Sequence, residues 1–149
     1  MKIAIGCDHG GYNLKEPILH FLAAQGHEVL DFGTNSYDSV DYPDYAAAVA
    51  RAIQRGEADK GILLCGTGIG ITIAANKFAG IRAAVVDNEF CATACAAHNA
   101  ANVLGLGGRV VDAPLAVRLV ELWLTTPFEP RHQPRLDKIT AIERENFHN

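Results

Sequence analysis

The residues of this 149-residue chain best suited to chemistry centre on Cys65, which is followed at once by Gly66-Thr67-Gly68-Ile69-Gly70. A thiol becomes a nucleophile or base when it ionises. Glycines let a backbone come close to a ligand, and the free N–H groups where a helix begins attract negative charge. A nucleophile or base therefore stands beside an anion cradle. Asp8-His9 adds an acid next to an imidazole, and His98-Asn99 adds a second imidazole next to an amide. Arg109, Arg131 and Arg135 add guanidinium groups, whose planar fork of donors matches phosphate. Each residue also has a packing alternative. Cysteine is among the most buried residue types, and glycines after a strand permit tight packing. Asp8 can cap a helix, His98 can sit at a helix end for the dipole, Tyr42 can pack as an aromatic, and Arg109 can be a surface charge.

The elements that must position these residues alternate along the chain. Lys2-Ile3-Ala4-Ile5-Gly6-Cys7 is a first strand, and Asp8 to Gly11 turns into a helix with Leu14, Ile18 and Leu22 on one face. Pro17 belongs in that helix's first turns and Gly26 stops it. His27 to Phe32 is strand two, and Gly33 to Asp44 is a polar loop holding Tyr42-Pro43. Tyr45 to Arg55 is an alanine-rich helix, stopped by Gly56. The apolar run Ile62 to Leu64 fills a buried strand that ends at Cys65, and its helix runs to about Phe78. Ile81 to Val86 is strand four, Asp87 or Asn88 caps a helix over Glu89 to His98, and Asn102 to Leu106 is strand five. Pro114 to Leu124 and Leu136 to Phe147 close the chain as helices.

Strands alternating with helices, apolar on both faces, predict an α/β chain with a Rossmann-like doubly wound sheet of five parallel strands in a three-layer α/β/α sandwich. In such sheets ligands bind where strands end. Strand one then delivers Asp8 and His9, strand three delivers Cys65 and Thr67, and strand five leads to Arg109. His98 and Asn99 come from a helix end instead. The last helix lies outside the alternation, which predicts that it docks on a partner subunit as a dimer forms.

Composition bounds the rest. The length fits one domain spanning residues 1–149, and 49% hydrophobic with 20% charged residues argues against disorder. A net charge of −4 excludes a general nucleic-acid or anionic-membrane binder. No apolar run is long enough for a membrane span and no signal peptide opens the sequence, so the expected compartment is the cytoplasm. The cysteines Cys7, Cys65, Cys91 and Cys95 form no CxxC pair and no zinc pattern. Cys91 and Cys95, one helical turn apart, read as packing thiols. His20, His27 and His148 read as solvated, and Arg82 as structural.

Known cysteine and glycine-loop chemistries can be tested by spacing. Low-molecular-weight phosphatases need an arginine six residues after the cysteine, where this chain has Ile71 after Cys65 and Asn13 after Cys7. Gly70-Ile71-Thr72 lacks the lysine of a Walker loop, and Gly66 to Ile71 misses the last glycine of the dinucleotide fingerprint.

The full set of motifs resembles the type B ribose-5-phosphate isomerase family, with its galactose-6-phosphate isomerase relatives. The matching residues are Gly6-Cys7-Asp8-His9, Asp41-Tyr42-Pro43, Cys65 to Gly70, Ala74 to Lys77, Gly80 to Ala83, His98-Asn99, Asn102 to Leu104, Gly107-Gly108-Arg109, and Arg131-His132 with Arg135. The resemblance covers essentially the whole chain. It implies an aldose–ketose isomerase for a phosphorylated sugar that uses no metal, nucleotide or other cofactor. Cys65 would move the proton between the first two sugar carbons. The loop amides of Gly66, Thr67, Gly68, Ile69 and Gly70 would stabilise the enediolate. His98, helped by Thr67, would open the sugar ring. Asp8, His9, Tyr42 and Asn99 would contact the sugar, and Arg109, Arg131 and Arg135, with His9, would hold its phosphate. The resemblance further implies a homodimer, or a tetramer of such dimers, whose site draws on both subunits. Ribose 5-phosphate is the leading substrate. A six-carbon sugar phosphate, a non-catalytic sugar-phosphate sensor and a nucleotide-binding module are the alternatives.

Overall fold

The computed structural model describes residues 1–147. His148, expected to be solvated, lies outside them. Five strands form one all-parallel sheet: β1 (Lys2–Cys7), β2 (Glu28–Asp31), β3 (Lys60–Cys65), β4 (Ala83–Val85) and β5 (Val103–Gly107), in the order β2-β1-β3-β5-β4. The helices are α1 (Tyr12–Ala24), α2 (Tyr42–Gln54), α3 (Ile69–Ala75), α4 (Glu89–Ala97), α5 (Ala113–Thr125) and α6 (Gln133–Asn146), with a 3₁₀ turn at Pro130–His132. Among the described residues no helix is long and apolar enough to cross a membrane.

The central strands are buried on both faces, which is why their sequences are continuously apolar. On one face Ile3, Ile5, Ile62, Leu64, Leu104 and Leu106 pack against residues of α1, α4 and α5, including Ile18, Leu22, Leu119 and Trp123. On the other face Ala4, Leu63 and Val103 meet Val49, Ala50, Ile71 and Ala75 of α2 and α3. The expected three layers are present.

Several boundaries differ from the sequence reading. Helix α2 starts at Tyr42, so Tyr42 belongs to its first turn and not to the loop. Asp41 is the N-cap and Pro43 sits where a missing N–H costs nothing. Helix α3 stops at Ala75 rather than Phe78, because Asn76 turns its side chain onto the backbone of Ala83, donating to its carbonyl and accepting its N–H. Pro17 lies inside α1 and not at its start. Cys91 is exposed, so only Cys95 of that pair packs. Arg82 is structural as expected: its guanidinium donates to the Ala100 carbonyl, at a residue with φ +46°.

Candidate active site

In this strand order the chain reverses its winding between β1 and β3, which opens a crevice at their carboxyl ends. Three turns meet there. Asp8 to Gly11 leaves β1, Gly66 to Gly68 leaves β3, and Gly108-Arg109 leaves β5. They pack backbone to backbone. A side chain at Gly10 would sit 2.8 Å from the Gly66 nitrogen, so only glycine permits the contact. Gly108 N–H donates to the Cys65 carbonyl at 2.9 Å, and Arg109 N–H to the Gly66 carbonyl at 2.9 Å. Asn13 of α1 donates to the Gly108 carbonyl at 2.9 Å, tying the third turn to the first helix.

Each expected side chain at this end can be placed. Asp8 is buried, and its Oδ1 accepts the N–H groups of Gly10 (2.8 Å) and Gly11 (3.2 Å). Its turn-capping role is therefore real. His9 is half-buried and its Nδ1 accepts the Val40 N–H at 3.2 Å. Nδ1 is then the acceptor, and a neutral ring carries its proton on Nε2. Cys65 is 5% exposed, and its Sγ accepts the Gly68 N–H at 3.1 Å. The sulfur is thus packed low in the turn, yet it faces the loop's amide. Gly68 reaches that position with φ +80°. The exposed Thr67 uses its Oγ1 to accept the Ile69 N–H at 3.1 Å. Two of the loop amides, Gly68 and Ile69, are therefore spent within the loop, a correction to a cradle in which every amide faces the ligand. The Arg109 guanidinium lies over Gly66, its Nη1 2.9 Å from where a side chain there would begin. The Tyr42 ring covers Gly70 in the same way, its hydroxyl 3.0 Å from that point.

The remaining expected residues lie elsewhere. Helices here run antiparallel to the strands, so a helix that ends at His98 ends at the edge where strands begin. Asn102 accepts the N–H of Gly61 near the start of β3, while Cys65 closes the same strand about 13 Å further along. Within one chain, then, His98 and Asn99 do not face Cys65. Arg131 and Arg135 go with them, because Glu129 N–H donates to the Ala97 carbonyl at 2.9 Å and anchors the tail to the end of α4.

This second cluster has its own order. The His98 and His132 rings lie 4.6 Å apart between centroids, tilted by 41°. His132 is 5% exposed. Arg135 Nη1 is 2.9 Å from its Nδ1. Arg131 binds Glu129 through Nε at 2.9 Å and Nη2 at 2.8 Å. That pair holds the Glu129 carboxyl below the usual carboxylate range. Burial, with Arg131, His98 and Arg135 nearby, pushes the His132 imidazole below its usual pKa. Donor atoms of His98, Glu129 and His132 gather within 4.8 Å, a spacing that could hold a cation. Two guanidinium groups already occupy Glu129 and His132 Nδ1, and their charge opposes one.

Sequence reasoning missed Lys15, Asn13, Val40, Glu129 and the use of His132. Lys15 is 4% exposed and fully engaged: Nζ meets Asp31 Oδ2 at 2.8 Å, the Thr34 carbonyl at 2.8 Å and Asn35 Oδ1 at 2.6 Å. It staples the loop after β2, the segment that carries Val40 to His9.

The chain is similar to known proteins along nearly its full length. A family model described as ribose/galactose isomerase matches residues 3–139. Ribose-5-phosphate isomerase B of Escherichia coli strain K12 is 53% identical over 144 residues, covering 96% of this chain and 97% of that one. The structure of ribose-5-phosphate isomerase B from Clostridium thermocellum superposes with a TM-score of 0.96 at 53% identity, over 99% of this chain and 100% of the other. That of ribose-5-phosphate isomerase B from Mycoplasma genitalium, solved with bound ribulose-5-phosphate, gives a TM-score of 0.92 at 41% identity, over 97% of each chain. A thiol at the end of β3, an amide turned onto it and an arginine across the same turn thus stand on a backbone shared end to end with these enzymes, and the chain belongs to the ribose/galactose isomerase family.

Proposed function

We propose that this protein interconverts ribose 5-phosphate and ribulose 5-phosphate as an aldose–ketose isomerase. The observation that carries the reading is Cys65 Sγ facing the Gly68 amide in the crevice at the β1/β3 switch point, with the Arg109 guanidinium across the same turn. The relative solved with ribulose-5-phosphate shares this backbone. The Cys65 thiolate takes the C2 proton of the open aldose. The electron pair becomes the C1–C2 double bond of an enediolate, and the carbonyl oxygen takes the negative charge. The C2 hydroxyl passes its proton to that oxygen, and return of the carbon-bound proton from Cys65 to C1 leaves the C2 carbonyl of the ketose. Loop amides of Gly66 and Gly70 lie beside that oxygen, and a donor aimed at such a charge lowers the barrier by roughly 3–4 kcal/mol. Asp8 and Tyr42 contact sugar hydroxyls, and His9 donates from Nε2 to the phosphate beside Arg109.

The ring must open first, and His98 is the acid for it, helped by Thr67. His98 lies at the other end of its own sheet, so a second copy supplies it, along with Asn99, Arg131 and Arg135. The working unit is a homodimer with two shared sites, acting in the cytoplasm. Exposed Ile139 and Ile142 on α6 suit a helix that lies on a partner.

A coupled assay with ribose 5-phosphate, with and without chelator, tests the reading. Turnover unaffected by chelator is expected. Cys65→Ala abolishes turnover while leaving sugar-phosphate binding intact. An active Cys65→Ala variant removes Cys65 as the base, and a wild type without turnover removes the isomerase.

A further inference from the structure

The tail residue His132 has no role in the reaction just described, yet it is the most enclosed member of its cluster. Its ring packs on the ring of His98 at 4.6 Å, and its Nδ1 lies 2.9 Å from Arg135 Nη1. An arginine can only donate, so Nδ1 is the acceptor and the ring's single proton sits on Nε2. That nitrogen is buried without a hydrogen-bond partner, 3.5 Å from Glu129 Oε2. The groups facing the ring are His98 from the end of α4, Glu129 and Arg131 from the turn before α6, and Arg135 from α6 itself. Three of the four carry or can carry positive charge. A second proton on His132 would point an N–H at a guanidinium donor and set a charge beside His98. The ring therefore stays neutral, and the proton needed for ring opening is left to His98.

Building on the isomerase reading above, we propose that His132 is a positioning residue: its neutral ring backs the His98 imidazole, while its Nδ1 holds the Arg135 guanidinium in place for the substrate phosphate. One side chain thus supports both the acid that opens the sugar and one arm of the phosphate clamp. The two duties use different atoms and can be separated. Asparagine keeps an acceptor near the position of Nδ1 and removes the ring. Phenylalanine keeps a ring and removes the acceptor.

The substrate pair supplies a readout that a purely structural role would not move. Ribulose 5-phosphate is acyclic, because the C5 oxygen that would close its ring is esterified. Exchange of its C1 proton with deuterated water, followed by NMR, needs Cys65 but no ring opening or closure. Net conversion of ribose 5-phosphate needs both. For His132→Asn we expect net kcat to fall about 10- to 100-fold, with KM and C1 exchange near wild type. For His132→Phe we expect the larger change in KM, again about 10-fold or more. Loss of exchange and conversion by the same factor in His132→Asn overturns the proposal, as do variants that match wild type in both. Should a variant fold poorly, the wild type still decides. Its ¹⁵N-labelled His132 must show a predominantly neutral ring, bare at Nδ1 and protonated at Nε2, at pH 6.5, the ordinary value for an imidazole; a predominantly charged ring or the other tautomer overturns the proposal. A wild type that does not turn over ribose 5-phosphate refutes the isomerase reading instead, and the two failures are thereby distinct.

Discussion

Gly68 and Cys65 are linked directly: the glycine's N–H donates to the sulfur at 3.1 Å, from a backbone with φ +80°. A side chain at Gly68 would begin 2.9 Å from the backbone carbon of Leu106 and from Val85 Cγ2. Left-handed backbone and steric overlap then act together, so Gly68→Ala should cost about 2–4 kcal/mol. At this chain length that lowers Tm by roughly 5–12 °C in thermal unfolding. A variant with wild-type Tm would show that the turn has room the structure denies it.

The separation of His98 from Cys65 predicts subunit complementation. Cys65→Ala and His98→Asn should each be inactive as pure dimers. When the two are dissociated, mixed in equal amounts and reassociated, half the dimers are mixed. Each mixed dimer holds one intact site of its two, so activity should return to about a quarter of wild type. No recovery, with mixed dimers verified by mass spectrometry, would mean that the two residues do not share a site across subunits.

How much of this was legible beforehand depended on range. The three central strands were legible because their apolar runs record burial on both faces. The start of α2 carried an unread signal, Asp41 before Tyr42-Pro43, which is a cap followed by proline in the first turn. The end of α3 carried no local signal, since Asn76 leaves the helix to bond Ala83 at the start of the next strand. Cys65 and Arg109 could be grouped because both follow strand ends. His98 could have been sent to the far edge, because a helix returning from a strand end must finish there. Lys15 could not be read at all. In Asn13-Leu14-Lys15-Glu16 it resembles an ordinary solvated lysine, and its partners are 16 to 20 residues away.

Lys15 therefore makes a prediction that its local sequence does not suggest. Lys15→Met removes a buried cation with three partners, leaving Asp31 only the Gly33 N–H and the Thr34 carbonyl only the Cys7 thiol, and freeing Asn35 Oδ1. Asp31 is about a third exposed, so water recovers part of the loss, and the cost should be about 2–3 kcal/mol. The freed loop no longer fixes Val40 against His9, so KM for the sugar phosphate should rise more than kcat falls. Wild-type Tm and KM together would show that the staple is dispensable.

The buried thiols predict both reactivity and alkaline behaviour. Burial pushes Cys7 and Cys95 each up to about 11. At pH 7.5 both stay as enclosed thiols, so brief iodoacetamide treatment of the folded protein should label exposed Cys91 and spare these two in peptide mass mapping. In the unfolded chain both ionise from their ordinary value of 9.0. Unfolding then releases protons, and their contribution to stability is complete below pH 9 and is lost as pH rises to about 11. Cys7→Ala should flatten the fall in denaturation midpoint over that window relative to wild type. Parallel curves would mean that the Cys7 thiol ionises alike in the folded and unfolded chains.

Two glycines of the site should separate binding from folding. At Gly66 an added methyl would meet Arg109 Nη1 at 2.9 Å, the free end of a long side chain that can swing away. At Gly107 it would meet the carbonyl carbon and oxygen of Thr67 at 2.6 Å, backbone with nowhere to go. Gly66→Ala should therefore keep Tm within about 3 °C while displacing the guanidinium, raising KM about 10-fold through the lost charge-assisted hydrogen bonds. Gly107→Ala should instead lose about 1–3 kcal/mol or more from overpacking, seen as a lower denaturant midpoint before any kinetic effect can be assigned. The contrast tests where the crevice has give. If Gly66→Ala unfolds the protein while Gly107→Ala does not, the guanidinium is held rigidly over the turn and the backbone contact at Thr67 is the softer of the two.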